Sequence, residues 1–188
     1  MPVLISMLRG VNVGPHNRIK MDALRALYES LKFKDVRTYV QSGNVIFRSN
    51  DKNTDQSAKK IQSAIQQTFG INPDVVVRSP QQLRQTIEAN PFGKRVQTDP
   101  GKVLVTFLES KPAADAAAGL RKLKACPEEL HLQNRELFIY FPNGAGKSKL
   151  PWSSLAKLLN TTGTARNWNS VLRLLEIAEE LEAIEQDL

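Results

Sequence analysis

Two apolar segments of nearly the same wording, VLISML (3–8) and VLVTFL (103–108), dominate the reading of this chain. A repeated strand with the same neighbours after it restricts the fold to a duplicated unit. After the first copy, Met21, Leu24, Leu27, Tyr28 and Leu31 fall at helical spacing within KMDALRALYESL (20–31). VRTYVQ (36–41) and VIFRS (45–49) then flank Ser42-Gly43-Asn44, a hairpin signal because Gly and Asn tolerate positive φ. Ala58, Ile61, Ile65 and Phe69 line a second helix that stops at Gly70, and VVVRS (75–79) reads as a β-branched strand.

After VLVTFL the same order returns. A helix covers 113–123, ELHLQ (129–133) and ELFIYF (136–141) form a second hairpin, and Gln41 and Gln133 fall in matching places. A helix over 150–159 and a short extended piece at 164–166 follow. Matched segments lie about 90–100 residues apart. The expectation is an α+β fold of two ferredoxin-like β-α-β-β-α-β units with antiparallel sheets. An extra C-terminal helix carries Val171, Leu174, Leu175, Ala178 and Leu181 on one face. The boundaries read as 1–89 for the first unit, 90–101 for a linker and 102–188 for the second unit with the last helix. The first unit includes a connecting helix opened by Ser79-Pro80, with Leu83 and Ile87 inward.

Composition narrows the function classes. At 188 residues and 41% apolar the chain is able to bury a core, and no apolar run approaches the length of a membrane span. The start reads as a strand and not as a signal peptide. Cys126 is the single cysteine, so no internal disulfide forms and a cytoplasmic address is expected. The net charge of +7 is uneven: residues 1–50 hold eight Lys/Arg against three Asp/Glu, and residues 151–188 hold three against six. A basic body suits a polyanion, or simple solubility. The acidic tail opposes its own helix dipole and calls for a basic neighbour.

Three loops carry candidate chemistry. FPNGAGKSKLPW (141–152) ends like a phosphate-binding loop, but Phe141 stands where the first glycine belongs, and the strand before it is a hairpin arm. A nucleotide-hydrolysing loop is therefore not expected. Gly144, Gly146, Lys147, Ser148 and Lys149 before a helix still suit an anion, or simply form a strand-to-helix turn. RGVNVGPHNR (9–18) offers Arg9, Asn12 and, just beyond it, Lys20, with Asn17 as an alternative helix cap. TARNWNS (164–170) offers Arg166 and Asn167 for a phosphate and Trp168 for stacking, or a buried Trp168 with Asn167 or Asn169 as a cap. His16 and His131 lack metal-ligand spacing, and no metal or cofactor is expected.

The segments MLRGVNVG (7–14), NRIKMDALRALYESLKFKDVRTYVQSGNVIF (17–47), GKSKL (146–150) and TARNWNSV (164–171) resemble a bacterial family, Domain of Unknown Function 1697. The resemblance implies a small cytoplasmic α+β protein with a duplicated ferredoxin-like core, and it carries no activity, cofactor or substrate. The residues favour binding of an anionic ligand, nucleic acid or a phosphorylated small molecule, through Arg9, Asn12, Lys20, Lys147, Ser148, Lys149, Arg166 and Asn167. One alternative is an enzyme on a small phosphorylated substrate, for which only His16, Tyr39 and Cys126 offer proton transfer. Another is a regulatory or assembly module.

Overall fold

The structure is a computed structural model that describes residues 1–51, 53–123 and 127–184. It is a mixed α+β fold with two four-stranded antiparallel sheets. Two compact units emerge: Met1–Gln85 together with the chain from Arg173 onward, and Thr86–Leu172. The sequence reading placed 102–188 in the second unit; the packing groups the last helix from Arg173 with the first.

The first unit runs β1 (Val3–Leu8), α1 (Met21–Ser30), β2 (Lys34–Tyr39), β3 (Asn44–Arg48), α2 (Thr54–Phe69), β4 (Val75–Arg78) and the start of α3 (Pro80–Glu88). Its strand order is β2-β3-β1-β4. Leu4, Leu8, Val45, Phe47, Val75 and Val77 pack against Leu24 and Tyr28 of α1 and Ile61 and Ile65 of α2. Tyr28 is sealed in this core, and burial pushes its phenol well above its usual pKa. Its hydroxyl lies 2.8 Å from Ser6 Oγ, so neither buried oxygen is left without a partner.

The opposite face of the sheet, with Val3, Ile5, Met7, Ile46 and Val76, is buried too. That is why VLISML is apolar at every position but Ser6 and shows no alternation. Arg48 on this face pairs with Asp35 at 3.0 Å and donates to the carbonyls of Met1 and Leu181. Leu181 belongs to α7 (Trp168–Ala183), whose later turns are thereby tied to the sheet. Arg84 of α3 reaches Glu179 at 2.8 Å and Glu182 at 2.7 Å, and Arg37 reaches Glu180 at 3.5 Å. These are the basic neighbours the acidic helix end requires.

In the second unit α4 (Gly93–Val96) and a 3₁₀ turn at Pro100–Lys102 occupy part of the stretch expected as a linker. Then come β5 (Val103–Leu108), α5 (Ala116–Lys122), β6 (Glu129–Gln133), β7 (Glu136–Tyr140), α6 (Trp152–Leu159) and β8 (Gly163–Asn167). The strand order β6-β7-β5-β8 matches that of the first sheet. Leu108, Leu137, Ile139 and Phe141 pack with Leu120, Leu155 and Leu159 from the two helices.

Backbone hydrogen bonds at the strand ends also correspond. Leu8 N–H donates to Gly43 O, as Leu108 N–H does to Arg135 O. Arg9 donates to Asp74 O as Glu109 does to Thr162 O, and Ser49 to Pro2 O as Phe141 does to Lys102 O. The hairpins differ: Gln133 pairs with Glu136 across two residues, whereas Tyr39 pairs with Asn44 across four. Gln133 therefore corresponds to Tyr39, and Gln41 lies in the turn. The expected match of Gln41 with Gln133 is corrected by the register, because the longer turn displaces Gln41.

Gly43 has φ +72, and a Cβ there would sit 2.8 Å from the Cβ of Leu8. Gly14 has φ +70 but open space around it. Gly43→Ala is expected to lower the unfolding free energy by about 2–3 kcal/mol, and Gly14→Ala by about 1 kcal/mol, because only the first adds a core clash to backbone strain. Urea denaturation of the two variants checks the difference.

Candidate functional site

The candidate residues lie in both units, and each set is built within its own. In the first unit, the loop after β1 is organised by its own polar groups. Arg9 lies with its guanidinium 3.1 Å from the Asp74 carboxylate, so an acid already answers its charge. Asn12, at φ 58, donates to Ile19 O and Gln41 O at 2.9 Å each, and its Oδ1 accepts from Ile19 N–H at 2.8 Å. This amide ties the loop to itself and to the hairpin turn, the way Asx side chains replace missing backbone bonds. Asn17 donates to Gly10 O and does not cap α1; Lys20 holds the N-cap position with its side chain exposed. His16 is exposed in the same loop, and Tyr39 closes β2.

In the second unit, β7 is antiparallel to both its neighbours, so the loop after it does not spring from the parallel strand of a P-loop. Gly144, at φ 84, turns the chain into a 3₁₀ turn at Ala145–Lys147. Lys147 N–H donates to Gly144 O, and Ser148 N–H to Ala145 O. Ser148 Oγ accepts from Leu150 N–H at 3.1 Å, and Leu150 is buried beneath the turn. Lys147 and Lys149 are exposed and make no ion pair among the described residues. The N–H groups of Ala145 and Gly146 likewise have no acceptor among the described residues.

The register decides which candidates share an end of the sheet. Tyr140, at the mouth of this loop, pairs with Val103, and Asn167 pairs with Leu104 on the other side of β5. The 144–149 turn and the Arg166-Asn167 pair therefore leave the sheet at the same end. Arg166 is 8% exposed, and its Nη1 donates to Thr164 Oγ1 at 2.7 Å and Ala165 O at 2.8 Å. Burial pushes its guanidinium down to about 10, which leaves it charged at neutral pH. Asn167 Oδ1 accepts from Ser170 N–H at 2.8 Å and caps α7, while Trp168 is buried.

Two further buried arginines, Arg48 and Arg78, were not singled out from sequence. Arg78 faces Ile5 across β4 and β1, the register position at which Arg166 faces Val105. Each donates Nη1 to the carbonyl of the preceding residue. The available signal was an arginine closing a β-branched strand, VVVR, on a sheet with no wet face. Among the described residues no three His, Cys, Asp or Glu side chains come together to hold a metal ion. Cys126 lies outside the described residues. No helix of the described residues is long and apolar enough to cross a membrane.

A family described as Protein of unknown function (DUF1697) has a model that matches residues 1–138 of this chain. The chain belongs to that family. The match takes in the whole first-unit loop cluster, while the 144–149 turn and β8 lie beyond it. None of the curated proteins matches the chain. The solved structure of conserved bacterial protein SP0830 from Streptococcus pneumoniae is similar in fold, with a TM-score of 0.71 at 20% identity. The similarity covers 94% of this chain and 98% of that one.

The two roles weighed for Asn167 separate by mutation. Asn167→Ala is expected to cost about 1 kcal/mol of stability through loss of the cap, and Asn167→Asp to retain it, since a carboxylate accepts the same N–H at a helix N-terminus. Thermal denaturation of both variants checks this.

Proposed function

We propose that the protein binds an anionic ligand, nucleic acid or a phosphorylated small molecule, through the second unit. Lys147 and Lys149 would contact phosphate, with the N–H groups of Ala145 and Gly146 beneath it. Arg166 would set the positive field at that end of the sheet, while Ser148 and Asn167 hold the backbone in shape. The observation that carries the reading is two exposed lysines on a turn whose leading N–H groups are open, with neither ion pair nor acceptor among the described residues. A concave run of such N–H groups beside cations is favourable for an anion.

The first-unit residues Arg9, Asn12 and Lys20 take lesser parts in this reading. Arg9 is answered by Asp74, Asn12 is spent on backbone, and Lys20 adds charge only.

We further infer that the two units are copies of a ferredoxin-like β-α-β-β-α-β unit. The common strand order and the three corresponding hydrogen bonds support it. In the first copy the segment from β3 to α2 runs from Ser49 to Asn53, whose side chain caps the helix directly. In the second copy the corresponding segment is the longer 141–151, with two glycines and two lysines. An elaboration present in one copy alone is more than the fold requires, which favours a ligand.

Calorimetric titration with inorganic tripolyphosphate at about 50 mM salt tests the site, since phosphate contacts weaken as salt rises. Wild-type protein is expected to bind and the Lys147→Ala/Lys149→Ala double variant to bind about tenfold more weakly or not at all. No binding to wild type, or undiminished binding to the double variant, overturns the proposal.

A further inference from the structure

We propose that the ligand carries a nucleobase beside its phosphate, and that Trp152 is the surface on which the base stacks. This rests on the anion site above and assigns its ligand class. The chain holds two tryptophans, and they live in opposite surroundings. Trp168 is 4% exposed, whereas Trp152, the first residue of α6, is 50% exposed. Of the large apolar side chains left open to water among the described residues, which include Val13, Val40 and Leu172, Trp152 alone is aromatic.

Trp152 is exposed but held. Its ring centroid lies 6.3 Å from that of Phe141 at 32°, and Phe141 is itself buried in the second-unit core. The core thus backs the indole and leaves the rest of the ring to solvent. The segment that delivers it is fixed as well: Leu150 is buried, its N–H is held by Ser148 Oγ, and Pro151 occupies the N-cap of α6. A rigid aromatic with little rotamer freedom to lose is a good stacking platform, because every base offers a π-face.

The charges beside it give the second half of the ligand. Lys149 lies three residues before Trp152 and Lys147 five, both exposed and without an ion pair among the described residues. An apolar partner surface would match the indole and leave the lysines unanswered. A bare phosphate would answer the lysines and leave the indole wet. A nucleobase joined to phosphate satisfies both, whether as a free nucleotide or within a single strand.

The test compares ATP, an oligodeoxythymidine of about 15 nucleotides and inorganic tripolyphosphate, on wild type, Trp152→Ala and Trp152→Phe. Binding is read by calorimetry, and thermal melts verify that each variant folds. Tryptophan fluorescence gives a second reading, because Trp152 is the exposed one of the two. ATP or the oligonucleotide is expected to bind wild type more tightly than tripolyphosphate and to quench its fluorescence. Trp152→Ala is expected to weaken that binding about tenfold while leaving tripolyphosphate unchanged, and Trp152→Phe to keep most of it. Tighter binding of ATP assigns a free nucleotide, and tighter binding of the oligonucleotide a single strand. If tripolyphosphate binds as tightly as either, or Trp152→Ala loses nothing, the nucleobase is overturned and the anion site stands. If none of the three ligands binds wild type, both readings fall.

Discussion

A strand buried on both faces is the constraint on which the first unit depends. β1 has α1 and α2 under one side, while its other side is equally dry, so it has no solvent side on which to place polar residues. Every side chain on it must be apolar or partnered, which Ser6 achieves through Tyr28. Its neighbours inherit the demand. Arg48, paired to β1 through Val3, keeps its charge on the dry face with Asp35 and two backbone carbonyls among its partners. The ring of acids on α7 around Arg84, Arg37 and Arg173 extends that cover with paired charge. Such exposed pairs hold a helix in register more than they stabilise it.

Much of this was written in local patterns. Helices α1 and α2 follow from apolar spacing, and Gly70 in the left-handed region ends α2 where its sequence says it should. The antiparallel sheets follow from hairpins whose turn residues tolerate positive φ. What the chain could not show locally is long-range. The return of α7 to the first unit brings Arg48 and Arg84 to partners 133 and 98 residues away. Hairpin register was also misread at Gln41, since a turn of four residues and one of two look alike when only their flanking strands are compared.

The candidate site shows the same division. Polar loop residues were legible as a group, but their roles were not, because a side chain that serves the backbone and one that serves a ligand are spelled alike. Asn12 and Asn167 proved to complete backbone hydrogen bonding, and Arg9 to meet Asp74. Lys147 and Lys149 make no ion pair among the described residues. The tryptophan weighed in the sequence, Trp168, is buried, and the open one, Trp152, carries no local pattern that tells an exposed indole from a buried one.

The closure of the first unit by α7 has a consequence for how the chain is made. The second unit is a continuous stretch, so a ribosome releases it whole and it can assemble as soon as it is clear. The first unit is discontinuous: its sheet emerges before the second unit, yet the helix that meets Arg37, Arg48 and Arg84 emerges after it. During synthesis one dry face of that sheet must wait, partly uncovered, for the whole second unit to pass. A sheet translated before the second unit is thus completed only after it.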